Sequence, residues 1–249
     1  MLLDKDIREP LFDYLEEIYG KTRIIEEKMV GSSRADVVMV IDGGLVGLEI
    51  KSDSDTYTRL SSQVKDYDKY FDYNITVVGS SHGSHVAEHV PDYWGIITVE
   101  ELDGQADFYF LREPSPNPKV NISRKMEILW RPELAMIQEH FSMPAYKGKS
   151  KRQVVEKIVE WTRIPPTQAE ITRLKREQKN NPDREIIIPE YRININELNI
   201  LISELLFERD YEALLAQINE YRKEHSPRRR GPKKSTRVRR IRRRAKVNK

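Results

Sequence analysis

The chain has 249 residues, 38% hydrophobic and 33% charged, against roughly 45–50% and 25% in an average globular domain; this suits one sizeable domain or two small ones with a modest core beneath a charged surface. It contains no cysteine, which excludes disulfides, thiol catalysis, iron–sulfur clusters and cysteine-held zinc. No stretch approaches the ~20 consecutive apolar residues of a membrane-spanning helix. Asp4 and Asp6 stand where a signal peptide has its apolar run, so a reducing cytoplasm, with no membrane partner, is the expected compartment.

The net charge of +3 is unevenly distributed. Ser226 to Lys249 carries nine arginines, four lysines and no acid, a charge of +13, whereas residues 1–225 hold 30 bases against 40 acids, a charge of −10. An acidic body with a basic extension points to a polyanionic partner, nucleic acid first.

In chain order, Asp4 to Tyr19 places Ile7, Leu11, Leu15 and Ile18 at helical spacing. Pro10 marks either the start of that helix or a kink in it, and Gly20 supplies a stop. Thr22 to Met29 reads as a strand and Ala35 to Ile41 as a buried one. Asp42-Gly43-Gly44 signals a tight hairpin, with Leu45 to Lys51 as the returning strand. Thr56 to Asp72 turns helical through Leu60, Val64 and Tyr67. Asn74 to Gly79 is a strand, Gly83 to His89 two turns of helix, and Trp94 to Val99 another strand. This order predicts an α/β layer over residues 1–112.

Leu111 to Pro118, with three prolines, reads as a linker. A helical region then runs over 113–225. Ser150 caps one helix there, Thr167-Gln168-Ala169-Glu170 is a capping box for the next, and the apolar run from Ile195 to Tyr221 is expected to break at Asp210. The last segment, 226–249, is too basic to build a core and is expected to be disordered when free, contacting phosphates when bound. Trp94, Trp130 and Trp161 are expected at core or domain-interface positions.

The chemistry concentrates in Arg34-Ala35-Asp36, Leu48-Glu49-Ile50-Lys51 and Gln63-Val64-Lys65-Asp66-Tyr67. Side chains alternate along a strand, so Glu49 and Lys51 share a face while Ile50 points into the core. The hairpin brings Asp36, near the start of one strand, beside Glu49, near the end of the other. Two acids and a lysine in an apolar sheet imply a counter-ion, because unpaired buried charge is costly. A hard divalent cation accepts one or two carboxylates plus water and phosphate oxygens, and the lysine can stabilise charge developing on a phosphate.

Asp36 followed after twelve residues by Glu49-X-Lys51 resembles the core motif of the PD-(D/E)XK nuclease superfamily, and Gln63-X-X-X-Tyr67 resembles the accessory motif of its exonuclease and RecB-like branch. The wider stretch from Asp6-Ile7-Arg8 through Lys51-Ser52-Asp53, Trp94-Gly95 and Trp130-Arg131 is similar to a bacterial family of small nuclease-like proteins. Ala35 replaces the proline that often precedes the first acid. The resemblance implies a restriction-endonuclease-like α/β core, a central mixed sheet flanked by helices. It further implies Mg²⁺ or Mn²⁺ held by Asp36, Glu49 and the Ile50 carbonyl, with Lys51 catalytic and Gln63 and Tyr67 accessory. For an additional acid, Glu27 is the first candidate metal ligand, and Glu9 or Glu17 come second. The implied reaction is phosphodiester hydrolysis, with DNA as partner; a catalytically inactive DNA-binding adaptor is the alternative.

Two other motifs carry blander readings. His85-Val86-Ala87-Glu88-His89 matches the inverted zinc-peptidase pattern, but Pro91 cuts its helix short and a surface helix is expected. Ser150 to Lys179, with Arg173, Lys175, Arg176 and Lys179 on its second helix, has the outline of a helix-turn-helix DNA reader; its prolines and acids favour helices packed on the core.

Overall fold

Strand order in the computed structural model follows chain order. It describes residues 4–53, 55–80, 82–83, 85–181 and 188–225, so the expectations placed on 226–249 lie outside the described residues. One sheet contains β1 (Arg23–Val30), β2 (Ser33–Ile41), β3 (Gly44–Lys51), β4 (Tyr73–Gly79), β5 (Gly95–Leu102) and β6 (Gln105–Arg112). The β3–β4 and β4–β5 pairs are parallel and the others antiparallel, which makes the sheet mixed. Parallel neighbours need a crossover, and α2 (Leu60–Tyr70), entered through a 3₁₀ turn at Tyr57–Arg59, supplies it between β3 and β4.

Each face of the sheet is covered by its own apolar cluster. α1 (Asp4–Tyr19) runs through Pro10 and buries Ile7, Leu11 and Leu15 against Val37, Met39, Leu48, Ile50, Ile75 and Val77. On the other face α2 places Leu60, Val64 and Tyr67 over Val38, Val40 and Val78. Gly47 lets the Phe71 ring lie against β3, since a Cβ there would meet the ring at 2.2 Å. Burying such side chains stabilises by about 1.5–3 kcal/mol each before chain entropy is set against it.

The segment expected as a linker after residue 111 is instead tied down by hydrogen bonds. Ser115 N–H bonds Tyr93 O at 3.0 Å, Asn117 N–H bonds Asp72 O at 2.8 Å, and the Asn117 amide bonds the carbonyls of Asp68 and Phe71. These bonds strap the proline-rich segment onto the end of α2 and the loops that lead into β4 and β5. The following helices are α3 (Ile122–Lys125), α4 (Arg131–His140), α5 (Lys151–Trp161), α6 (Gln168–Asn180) and α7 (Ile195–Phe207). α4, α5 and α7 pack on the sheet in one unit, Leu134, Ile158, Leu198 and Leu206 sharing a core cluster with Ile25, Val38 and Val78, whereas α6 has no buried residue. Arg209 closes that unit with a bidentate pair to Glu133, 2.7 Å on both sides, the geometry that makes arginine–carboxylate pairs strong.

The unit extends over Met1–Asp210. A second unit, Tyr211–Lys249, contains the fifteen-residue helix α8 (Tyr211–His225). Among the described residues no helix is long and apolar enough to cross a membrane.

Candidate active site

The site grows out of a fork in the sheet. Pairing between β2 and β3 ends at Val37 and Leu48, while β3 continues through Lys51 against β4 and the start of β2 continues against β1. The last turn of β3 therefore has backbone groups with no strand on that side. Asp36 answers this directly: its Oδ2 accepts the Ile50 N–H at 2.9 Å.

On the facing strand Glu27 takes a left-handed φ of 55° between the pairs Glu26–Val37 and Lys28–Ala35. The alternation resets here in both strands, since Ala35 and Val37, two apart on β2, fall in the clusters on opposite faces. Ile24 and Glu26 face α1, whereas Lys28 reaches the opposite face and lies 3.5 Å from Ile128 O. A left-handed conformation costs a non-glycine residue about 1–2 kcal/mol, and here Glu27 is held in place by Arg8 at 2.9 Å and Arg34 at 2.6 Å.

Glu49 is almost fully buried, at 1% exposure. Its Oε1 accepts from both the Lys51 ammonium and the Gln63 amide, and its Oε2 accepts from the Tyr67 hydroxyl at 2.6 Å. The Gln63 carbonyl oxygen in turn lies 3.3 Å from Lys51 Nζ. Tyr67 Oη also accepts the Asp36 N–H at 3.2 Å. Successive turns of α2 thus fix both halves of the fork: Gln63 orients Glu49 and Lys51, and Tyr67 ties Asp36 to Glu49.

These contacts shift the titration of the buried groups. Burial, and next the charge of Glu49, push the Asp36 carboxyl up to about 7, against the opposing pull of the Ile50 N–H, Lys51 and Arg8. Burial, then Glu49 and Asp36, raise the Tyr67 phenol well above its ordinary value, so it acts as a hydrogen-bond donor.

All five side chains expected at the site, Asp36, Glu49, Lys51, Gln63 and Tyr67, are brought together. Asp36, Glu49, Lys51 and Gln63 line a cleft of about 470 Å³ with Ile50, Asp4, Arg8, Glu27, Arg34, Asp55, Arg59 and Ser62. Glu27 reaches the cleft, but as an acid engaged by two arginines. Glu9 and Glu17 are exposed and do not line it; Asp4 is the α1 acid that does. Arg8 is the side chain that pattern reading missed. It bonds Asp4 at 2.7 Å, Glu26 at 3.0 Å and the Asp36 carbonyl at 3.3 Å, and approaches Asp36 Oδ1 at 4.0 Å. Burial alone would lower its pKa, yet Asp4, Glu26 and Asp36 outweigh that and raise it, so the guanidinium stays charged.

Among the described residues no three His, Cys, Asp or Glu side chains group to hold a metal. A zinc cage or an all-protein calcium site is not the fit here. A magnesium-type site requires only one or two carboxylates, with the remaining positions left to water and substrate, and Asp36 and Glu49 are the two carboxylates here that could supply them. Burial, and next the charge of Glu49, oppose ionisation of Asp36, and a nearby divalent cation would offset both.

The remaining motifs lie elsewhere. The expected helix at Gly83 to His89 is a single 3₁₀ turn, Val86–Glu88, and the His89 ring stacks on Tyr57 at 4.4 Å, so the two histidines do not share an α-helical face. Of the helix pair after Ser150, α5 buries Val154, Val155, Ile158 and Val159, while α6 has no buried residue and leaves Arg173, Lys175, Arg176 and Lys179 exposed. Trp94 is fully buried, and Trp130 and Trp161 are half-buried beneath Arg209 and Arg192.

Fold and site together define an α/β protein with a carboxylate pair and a lysine at the fork of a mixed sheet. The family described as bacteriophage P4 protein cII matches residues 2–223, and the chain belongs to that family. Among curated proteins none matches. Among solved structures, SfsA of Pyrococcus furiosus in complex with Ca²⁺ is similar at 16% identity over 45% of this chain, with a TM-score of 0.28. The match covers 61% of SfsA, under two thirds of its length.

Proposed function

We propose that the protein is a divalent-metal-dependent nuclease that hydrolyses phosphodiester bonds, with DNA as substrate. The observation that carries this reading is the convergence of Asp36, Glu49 and Lys51 at the strand fork, with Glu49 and Lys51 both oriented by Gln63. It agrees with the resemblance of these residues to the PD-(D/E)XK motifs. Asp36, Glu49 and the Ile50 carbonyl would hold Mg²⁺ or Mn²⁺, which when bound supplies Lewis-acid charge to a phosphoryl oxygen and lowers the pKa of a water.

The chain's own groups do the rest. Lys51 presents a positive charge beside the two carboxylates, where negative charge builds on the phosphate as water attacks. Gln63 and Tyr67 hold Glu49 in one orientation, so that little reorganisation accompanies the reaction. The basic segment 226–249 supplies long-range attraction that an acidic body lacks.

Plasmid, linear, single-stranded and branched DNA incubated with Mg²⁺ or Mn²⁺ test the reading. Cleavage is expected, lost in excess chelator and abolished by Asp36→Ala or Lys51→Ala while DNA binding persists. Full activity in Lys51→Ala, or undiminished cleavage in chelator, refutes it; DNA binding indifferent to metal with no cleavage of any substrate favours a binding adaptor.

A further inference from the structure

We infer that Arg59 is a substrate-binding residue of this cleft and holds the phosphate next to the one that is cut, so that the site takes a strand of consecutive phosphates rather than an isolated phosphodiester. The inference rests on the nuclease reading above and concerns which part of the substrate that site grips. Arg59 already has helical backbone angles, φ −95° and ψ −12°, where the 3₁₀ turn runs into α2. Arg59, Gln63 and Tyr67 therefore follow one another at four-residue intervals along one helix face. Gln63 touches Glu49 and Lys51. One turn earlier, about 5.4 Å along the axis, Arg59 lines the same cleft. The Ser62 hydroxyl donates to the Arg59 carbonyl at 2.7 Å, which fixes the main chain from which the arginine projects.

The other bases of the cleft are engaged by acids. Arg8 is held by Asp4, Glu26 and Glu27, Arg34 by Glu27 at 2.6 Å, and Lys51 by Glu49. The nearest cleft acid in sequence, Asp55, accepts instead from the Ser52 N–H and hydroxyl at 2.9 and 2.8 Å. Among the described residues the Arg59 guanidinium has neither an ion pair nor a hydrogen bond. Nor does the arginine serve the fold: it is exposed, its side chain does not cap α2, and the first turn of α2 holds no acid to pair with it. A base in that place adds to the positive end of the helix dipole instead of offsetting it, which favours an anion nearby. The cleft lining holds five acids and four bases, so an entering polyanion finds its free positive charge at Arg59. Lys51 faces the phosphate being cut, and the guanidinium one turn away is left for its neighbour. Arginine suits that task because its fork of N–H donors spans two phosphate oxygens.

The test uses the full chain with Mg²⁺ and an oligonucleotide built around a cut mapped in the DNA assay above, read as single-turnover rate against protein concentration. Arg59→Ala is expected to raise the half-saturating concentration roughly tenfold, the scale of one charge-assisted hydrogen bond, while the rate at saturation stays within about twofold. Arg59→Lys is expected to recover part of the loss. A neutral methylphosphonate, placed at one linkage at a time, is expected to weaken the native chain by a similar factor at one linkage adjacent to the cut, and to add nothing there in Arg59→Ala. Circular dichroism verifies that the variants are folded, and the methylphosphonate series on the native chain is decisive even if they are not. Half-saturation unchanged in Arg59→Ala, a loss confined to the saturated rate, or a native chain indifferent to neutral linkages on both sides of the cut overturns the role of Arg59 and leaves the nuclease reading standing. No cleavage of any DNA by the native chain overturns that reading itself, and this inference with it.

Discussion

Replacing Asp36 by asparagine should make the metal-free protein more stable, by an amount that grows from about pH 4 and levels off above about pH 7. In the fold the Asp36 carboxyl sits at about 7 because burial and Glu49 oppose its ionisation, whereas in the unfolded chain it titrates near 3.9. A raised folded pKa means that the native state holds its proton more tightly. The protonated carboxyl therefore favours folding below pH ~4, and that advantage is lost as the pH rises through about 7. Three units at 1.36 kcal/mol each give about 4 kcal/mol at pH 8, and about 2 kcal/mol if relaxation and water entry absorb half of it. The Asp36→Asn amide does not titrate, and its oxygen can still accept the Ile50 N–H that Oδ2 accepts at 2.9 Å. Urea unfolding in chelator from pH 4.5 to 8.5 should show the variant pulling ahead of the native protein with rising pH. Added Mg²⁺ should close the gap by stabilising only the native chain. Stability profiles that stay parallel across the range would refute the electrostatic account of the fork.

Two further outcomes follow from the same contacts. Gln63→Ala should slow cleavage by less than Asp36→Ala, because water can replace part of an orienting amide; equal losses in single-turnover rates would mean that Gln63 does more than orient Glu49. Removing residues 226–249 should weaken DNA binding by similar factors on all sequences. If about six of its bases neutralise phosphates, a log–log salt slope of roughly −5 should be flattened, and an unchanged slope in filter binding would rule out a tethering role.

The motifs were legible because each is local. The apolar spacing of Ile7, Leu11 and Leu15 gave α1, Asp42-Gly43-Gly44 gave the β2–β3 hairpin, and α7 ends at Phe207, close to the expected break. β6 was missed although Asp103-Gly104 is a hairpin signal of the same kind. Both residues have positive φ, 51° and 79°, as the tight turn that matches strand twist requires; the prolines from Pro114 onward carry a linker signal that overlaps the end of β6. The strap through Ser115 and Asn117 could not be read from sequence, because its acceptors are main-chain carbonyls. Arg8 was hidden because most of its partners are distant in sequence. Its i, i+4 partner Asp4 is visible on a helical wheel, but Glu26, Glu27 and the Asp36 carbonyl lie 18, 19 and 28 residues away and meet it only because α1 crosses the kinked strands.

The fork also explains why structure and chemistry coincide at these few residues. Where β2 leaves β3, the Ile50 N–H needs an acceptor, since a buried unsatisfied donor costs about 1–3 kcal/mol. Asp36 supplies one, and so a carboxylate is drawn beside Glu49, whose own position is fixed by Lys51, Gln63 and Tyr67. A neutral acceptor at position 36 would satisfy the strand equally well without the cost of burying a charge beside Glu49, which lifts the Asp36 pKa toward neutrality. The strand end alone therefore accounts for a hydrogen-bond acceptor, but not for a charged one. The excess negative charge, set next to a lysine and opposite an arginine held by four acidic residues, is what the proposed binding of a cation and a phosphate would use.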